Sequence, residues 1–249
     1  MSIHLQNVSK AFSSRGASVQ VLEHIELEVQ RAEFVCLLGP SGCGKSTLLN
    51  LLAGFESPSS GTVIVNGRSP GQPAARAVLL FQDATLFPWL SVEDNVAFGL
   101  AAQQMPKPQR RRVAAEYLEL VGLHDFRRAK VYQLSGGMRQ RVALARALCL
   151  KPEILLMDEP FASLDAMTRD LLHEELQRIW LATKATIVFV THNVREALIL
   201  GDRVAVLRPR PGRIQRVFPV DLPRPRHFED PGIAELARGV LHELRKAAH

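Results

Sequence analysis

The chain has 249 residues, of which 47% are hydrophobic and 22% charged, a balance that supports a packed core and excludes a chain disordered throughout. Its length fits one large domain or two small ones, and no internal repeat divides it. Lysine and arginine exceed aspartate and glutamate by 31 to 25, a net charge of +6 that suits anionic ligands; the basic residues are scattered, however, and aromatics reach only 6%, which argues against a stacking platform for single-stranded nucleic acid.

In chain order, strand-like pieces stand at 19–22 and 25–29, rich in β-branched residues, the second alternating apolar with polar. Residues 34–38 (Phe-Val-Cys-Leu-Leu) form a short apolar run that stops at a glycine, the pattern of a strand buried on both faces of a parallel sheet. Residues 62–65 read as a strand followed by an Asn66-Gly67 turn. Further buried strands are expected at 77–81, 154–157 and 186–190. Helices are expected at 108–121, where Val113, Tyr117, Leu118 and Val121 fall near helical spacing, and at 136–150 and 168–182. Strands alternating with helices predict an α/β fold on a mainly parallel sheet.

Beyond Leu207 the composition shifts: six of the fifteen prolines lie between 209 and 231, among Arg208, Arg210, Arg213, Arg216, Arg224 and Arg226, before a last helix near 233–246. That tail is too short for an added regulatory domain. The longest uncharged stretches, such as 34–44 and 95–106, fall short of the ~18 apolar residues of a membrane span. The residues from Met1 to Gln6 lack the basic start and apolar run of a secretory signal, so a cytoplasmic setting is expected. Cys36, Cys43 and Cys149 show no metal-ligand spacing and no disulfide framework, which fits reduced thiols.

Three motifs carry chemistry. Gly39, Pro40, Ser41, Gly42, Cys43, Gly44, Lys45, Ser46 and Thr47 match the phosphate-loop pattern G-x-x-x-x-G-K-[ST], between an expected strand and a helix-like run. Glycines let the backbone curl so that several N–H groups converge on one anion at the positive end of a helix. Lys45 would meet the β- and γ-phosphates, and Ser46 would offer a hydroxyl to Mg2+. The run Ile-Leu-Leu-Met157-Asp158-Glu159-Pro160 places Asp158 at the carboxyl edge of a strand, where α/β folds bind ligands; Asp158 can hold the Mg2+ through water, and Glu159 can polarise an attacking water. Leu134-Ser135-Gly136-Gly137-Met138-Arg139-Gln140-Arg141 starts a helix with bare backbone N–H groups, a second anion nest that one nucleotide does not need and a second copy of the chain would use.

In this order the three motifs resemble the ATPase subunit of an ATP-binding cassette (ABC) transporter, over roughly residues 1–215. The resemblance implies a P-loop NTPase core of mainly parallel sheet with flanking helices, an N-terminal antiparallel β subdomain, and a helical subdomain at about 90–150 carrying the Leu134–Arg141 signature; 216–249 would be a Pro/Arg-rich segment and terminal helix. It implies ATP and Mg2+ as cofactors, with Ser46, Gln82 and Asp158 at the metal and Lys45, Gln82, Glu159 and His192 in catalysis. Gln82 matches the glutamine that senses the γ-phosphate, and His192 the switch histidine that contacts it. Ser163-Leu164-Asp165 matches the loop that faces the partner copy, and Phe12 the aromatic that stacks on adenine. Ser135, Gly136, Gly137, Gln140 and Asp165 would join the phosphate loop around nucleotide in a head-to-tail dimer.

The stretch from Phe81 to Val92, with Met157–Phe161, Arg178-Ile179-Trp180 and Leu222-Pro223-Arg224-Pro225-Arg226, is similar to nitrate/sulfonate/taurine-type importers. Lys130-Val131, Ala162-Ser163 and Asn193 depart from the family pattern without removing a catalytic group. The resemblance further implies separate integral membrane permease subunits docking between Gln82 and Gly99, where Phe87, Pro88, Trp89 and Leu90 could supply an apolar anchor. It also implies an extracytoplasmic solute-binding protein, a peripheral place on the cytoplasmic face of the inner membrane, and no nucleic acid. An exporter or lipid-trafficking ATPase is the alternative, and after it a soluble cassette ATPase, although 249 residues leave no room for the coiled coils or second cassette of such relatives.

Overall fold

The computed structural model describes residues 2–14, 17–68 and 77–248. In chain order its elements are β1 (Ile3–Ser14), β2 (Ala17–Val29), β3 (Phe34–Leu38), α1 (Lys45–Ala53), β4 (Ser60–Val65), β5 (Ala77–Leu80), α2 (Val92–Ala102), α3 (Lys107–Leu120), α4 (Gly136–Leu148), β6 (Ile154–Asp158), α5 (Ala166–Thr183), β7 (Thr186–Thr191), α6 (Val194–Leu200), β8 (Arg203–Arg208), β9 (Arg213–Pro219) and α7 (Pro231–Ala248).

A six-stranded sheet, ordered β5-β6-β7-β3-β8-β9, forms the centre. All neighbours are parallel except β9, which runs antiparallel to β8. Side chains alternate across a strand, and β3 shows what that does here. Phe34, Cys36 and Leu38 join the core shared with α2 to α7, whereas Val35 and Leu37 join a second core shared with α1 and the small sheet. Both faces of β3 are therefore covered, which is why its five residues are all apolar. The small sheet is antiparallel, ordered β2-β1-β4. Between β4 and a bridge pairing Val65 with Arg68, Asn66 (φ 50°) and Gly67 (φ 75°) both take the left-handed backbone of a tight hairpin turn. The fold is thus a P-loop NTPase core with an antiparallel N-terminal sheet, and α2, α3 and α4 pack together as a helical group beside it.

The structure differs from the sequence expectations in several places. The 77–81 run is not a fully buried strand: β5 ends at Leu80, lies at the sheet edge half-buried, and Phe81 beyond it is exposed. The two pieces at 19–22 and 25–29 are one strand, β2, bent by register shifts against β1. Helices α2 and α6 and strands β8 and β9 were not anticipated; α6 is only seven residues long, and β9 crosses position 215.

The proline- and arginine-rich segment is packed onto the core. The guanidinium of Arg226, buried, donates to the carbonyls of Val220 (2.8 Å), Leu198 (3.0 Å), Leu222 (3.1 Å) and Gly201. Arg224 donates to Leu200 O and to Asp202 (2.6 Å each), and its guanidinium lies over the Trp180 ring at 4.4 Å.

Candidate functional site

Four strand ends converge. The loop after β3 leads into α1, Asp158 ends β6 with Glu159 next to it, Thr191 ends β7 with His192 next to it, and Gln82 follows β5. Because β5, β6, β7 and β3 are parallel neighbours, their carboxyl ends share one edge of the sheet. A cleft of about 460 Å³ opens there, lined by Val21, Ser41, Gly42, Gly44, Lys45, Ser46, Thr47, Gln82, Asp158 and Glu159.

The loop's shape requires its glycines. Gly42 (φ 78°) and Gly44 (φ 93°) occupy the left-handed region, and a Cβ on Gly44 would stand 2.5 Å from Leu22 Cδ2. At Gly39 a Cβ would meet Cys43 Sγ at 2.7 Å and Leu207 O at 2.8 Å. Lys45 is only 5% exposed, and its ammonium donates to the carbonyls of Gly39 (2.8 Å) and Pro40 (3.1 Å), with Glu159 Oε1 at 3.5 Å. A buried ammonium is tolerable because these three oxygens replace its water.

Glu159 is the hub. Its backbone takes the left-handed region (φ 44°), which costs a non-glycine residue about 1 kcal/mol or more, and its N–H donates to Val190 O at 3.0 Å. The side chain reaches Lys45 with one oxygen and His192 Nδ1 with the other, at 2.8 Å. His192 itself is exposed. Burial pushes the Asp158 carboxyl above its ordinary value; a hydrogen bond from Ser46 opposes this, Glu159 reinforces it, and Lys45 opposes it. Ser46 hydroxyl, Asp158 carboxylate and the Gln82 amide on one cleft wall are hard oxygen donors, which fits Mg2+. Among the described residues no cluster of three or more His, Cys, Asp or Glu side chains could hold a metal, so such an ion would draw ligands from water and phosphate as well.

The other sequence candidates lie outside this cleft wall. Phe12, 38% exposed, pairs with Val19 at the far end of the β1–β2 ribbon under the Lys10 ammonium, 4.7 Å from its ring centre. Ser135 caps α4, accepting from Met138 N at 3.3 Å, with Gly136 exposed beside it. Gly137 is buried, and a Cβ there would come within 2.4 Å of Thr168 Cγ2, so close packing of α4 on α5 accounts for this glycine. Gln140 is buried one turn further along, its Nε2 without a partner. Asp165 caps α5 through Thr168 N at 3.0 Å.

Two groups of residues at the site were missed from sequence. Val21 lines the cleft, and nothing in its local pattern marks it. Behind His192, Glu196 and His173 are buried and paired; the signal available was Asn193 followed three residues later by Glu196, a helix-start pattern.

A glycine-rich loop between strand and helix, a buried lysine within it, and carboxylates on the adjacent strand end define a nucleotide-binding P-loop protein. A family model described as "ABC transporter" matches residues 22–162. The taurine import ATP-binding protein of Roseobacter denitrificans is 45% identical over 217 residues, 87% of this chain and 81% of that one. The nitrate import ATP-binding protein of Synechocystis is 44% identical over 223 residues, covering 90% and 84%. A solved dimeric structure of an ATP-binding cassette in a post-hydrolysis state, bound to ADP and Pi, superposes with a TM-score of 0.78 at 30% identity, covering 88% of this chain and 99% of that one. The chain belongs to the ABC transporter family, as an ATP-binding subunit that hydrolyses ATP.

Proposed function

We propose that this ATPase energises import of a small solute of the nitrate, sulfonate or taurine class through separate permease subunits. The chain would sit peripherally on the cytoplasmic face of the membrane, with an extracytoplasmic solute-binding protein in the same system. Among the described residues no helix is long and apolar enough to cross a membrane, so translocation would fall to other chains. The observation that supports the importer branch most is identity of 44–45%, over 87–90% of the chain, to relatives named for import. Phe87, Trp89 and Phe98 support permease docking between Gln82 and Gly99. The Phe87 ring packs at a tilt against Trp89 and Phe98, with centroids 5.5 and 4.4 Å away, and Trp89 is 69% exposed.

The chemistry assigns roles to the cleft. Lys45 and the loop N–H groups would bind the phosphates, and ATP would displace the Gly39 and Pro40 carbonyls from the ammonium. Mg2+, held by Ser46, Gln82 and Asp158, would neutralise phosphate charge. Glu159, already fixed at both oxygens, would orient water towards the γ-phosphate, with His192 and Gln82 reporting its presence. Ser135, Gly136, Gly137 and Asp165 would complete the site from a second copy, with the buried Gln140 supporting them one turn along α4, and Phe12 would meet the adenine.

The test is Glu159→Gln. It should retain ATP binding and lose most turnover, and in vesicles carrying the cognate permease it should abolish ATP-dependent uptake of the solute. Hydrolysis within a few-fold of wild type would overturn the role of Glu159, and ATP-driven efflux from those vesicles would overturn import.

A further inference from the structure

A buried polar chain lies behind His192 and serves no packing need that an apolar group would not meet better. His173 on α5 is 4% exposed, and its Nε2 is 2.8 Å from Glu196 Oε1 on α6. A carboxylate oxygen only accepts, so Nε2 carries the proton and donates. The second oxygen of Glu196 accepts from the hydroxyl of Thr191. That hydroxyl in turn accepts from Asn193 N at 2.9 Å, and Asn193 Oδ1 accepts from Arg195 N (3.0 Å) and Glu196 N (3.3 Å). The chain therefore closes around the backbone on both sides of His192, from residue 191 to residue 193.

Other contacts place this chain against the site. Phe161, two residues after Glu159, packs its ring edge-on to His173 at 5.7 Å. Glu159, Phe161, Thr191, His192, Asn193 and Glu196 line one small cavity. Such a network is costly to bury, and its hydrogen bonds restrict it to few arrangements; only His173 Nδ1 lacks a hydrogen-bond partner among these groups, with Asp170 Oδ1 at 3.8 Å. His192 is exposed, and among the described residues Glu159 is the one that holds its imidazole, so its orientation depends on the turn beneath it.

We infer that His173 and Glu196 are positioning residues, which tether the 191–193 turn so that His192 is aimed at Glu159 and at the γ-phosphate. The inference rests on the role of His192 proposed above. Neither His173 nor Glu196 reaches the cleft, so the tether acts on turnover and leaves ATP affinity unchanged. Because Asp165 caps α5, the tether also links the element capped by that residue to the switch histidine.

The experiment is a cycle of His173→Leu, His192→Ala and the double variant, with His173→Gln as the conservative replacement that keeps an N–H near the Nε2 position. ATP turnover, KM and nucleotide affinity are measured on each, with thermal melts as a folding check. His173→Leu should lower kcat on the order of tenfold, with KM and affinity unchanged. His173→Gln should recover most of that loss, and the double variant should be no slower than His192→Ala alone. In 15N-labelled protein the His192 imidazole signals should shift in His173→Leu and not in His173→Gln.

A kcat within twofold of wild type in His173→Leu, or an equal loss with and without His192, would overturn the tether while leaving the role of His192 standing. Full turnover in His192→Ala would overturn that role and the tether together. Should His173→Leu fail to fold, His173→Gln and the imidazole spectrum decide: unmoved signals with a lowered kcat would refute the inference.

Discussion

Lys45, Glu159 and His192 show how position outweighs residue type. Each stands at the end of a different element, and Glu159 joins the other two through opposite carboxylate oxygens. The thiols show the converse, reactive groups silenced by their surroundings. Burial raises Cys36 and Cys43 and pushes Cys149 up to about 12, and all three are buried. A thiol reagent at pH 8 should therefore label no cysteine in the native protein and three after denaturation, read by absorbance. Rapid native labelling of Cys43 would mean that the phosphate loop opens. At Asp165, hydrogen bonds from the Thr168 backbone N–H and hydroxyl hold the carboxyl below its ordinary 3.8. A depressed folded value means that the cap stabilises fully above 3.8 and loses that contribution as pH falls through the lowered value. The Tm gap between wild type and Asp165→Ala should be constant from pH 5 to 8 and close on acidification below 3.8; a gap unchanged in acid would show that the carboxylate is not the cap.

Whole elements follow from short-range rules where those rules are strong. A strand covered on both faces must be apolar throughout, and 34–38, 154–157 and 186–190 announce β3, β6 and β7 in that way. Edge strands lack that constraint, so β5 looked more buried in sequence than it is. Helix α6, at seven residues, is too short for a periodic pattern, and it forms because Asn193 caps it and the sheet packs beneath it. The arginine-rich tail follows the same logic. Its composition marks only a proline- and arginine-rich segment, yet the Arg226 guanidinium satisfies four carbonyls. Arg226→Ala would strand those carbonyls in the core, at a cost of about 3 kcal/mol, which for a chain of this size lowers Tm by roughly 6–12 °C. A calorimetric Tm within 2 °C of wild type would show that the tail is not clamped.

At the scale of the molecule, the cleft and the nest at Ser135 and Gly136 are separate parts of one chain, and Ser135, Gly136 and Gly137 are absent from the cleft lining. Both would contact one nucleotide only if two chains meet head to tail, as in the proposed dimer. Light scattering of Glu159→Gln should then show the mass doubling on addition of Mg-ATP. A mass unchanged by Mg-ATP, with ATP bound, would remove Ser135, Gly136 and Gly137 from the nucleotide site of the isolated protein. Two of the relatives that match across most of the chain carry taurine in one name and nitrate in the other, at 45% and 44% identity, so overall similarity does not select the cargo.

By itself the sequence determined the phosphate loop, the Asp158-Glu159 strand end and the buried central strands. Each is a local pattern, in which glycine φ angles, a cap or double-sided burial restrict which residues can stand there. Only the tertiary structure decided that Glu159 bridges Lys45 and His192, that Gln140 is buried, that Arg224 and Arg226 clamp the tail, and that His173 reaches Glu196 behind the switch. Those contacts join residues brought together by the order of the parallel strands and by the helices packed on them. A lone histidine on a helix carries no mark of the partner that the fold will bring to it.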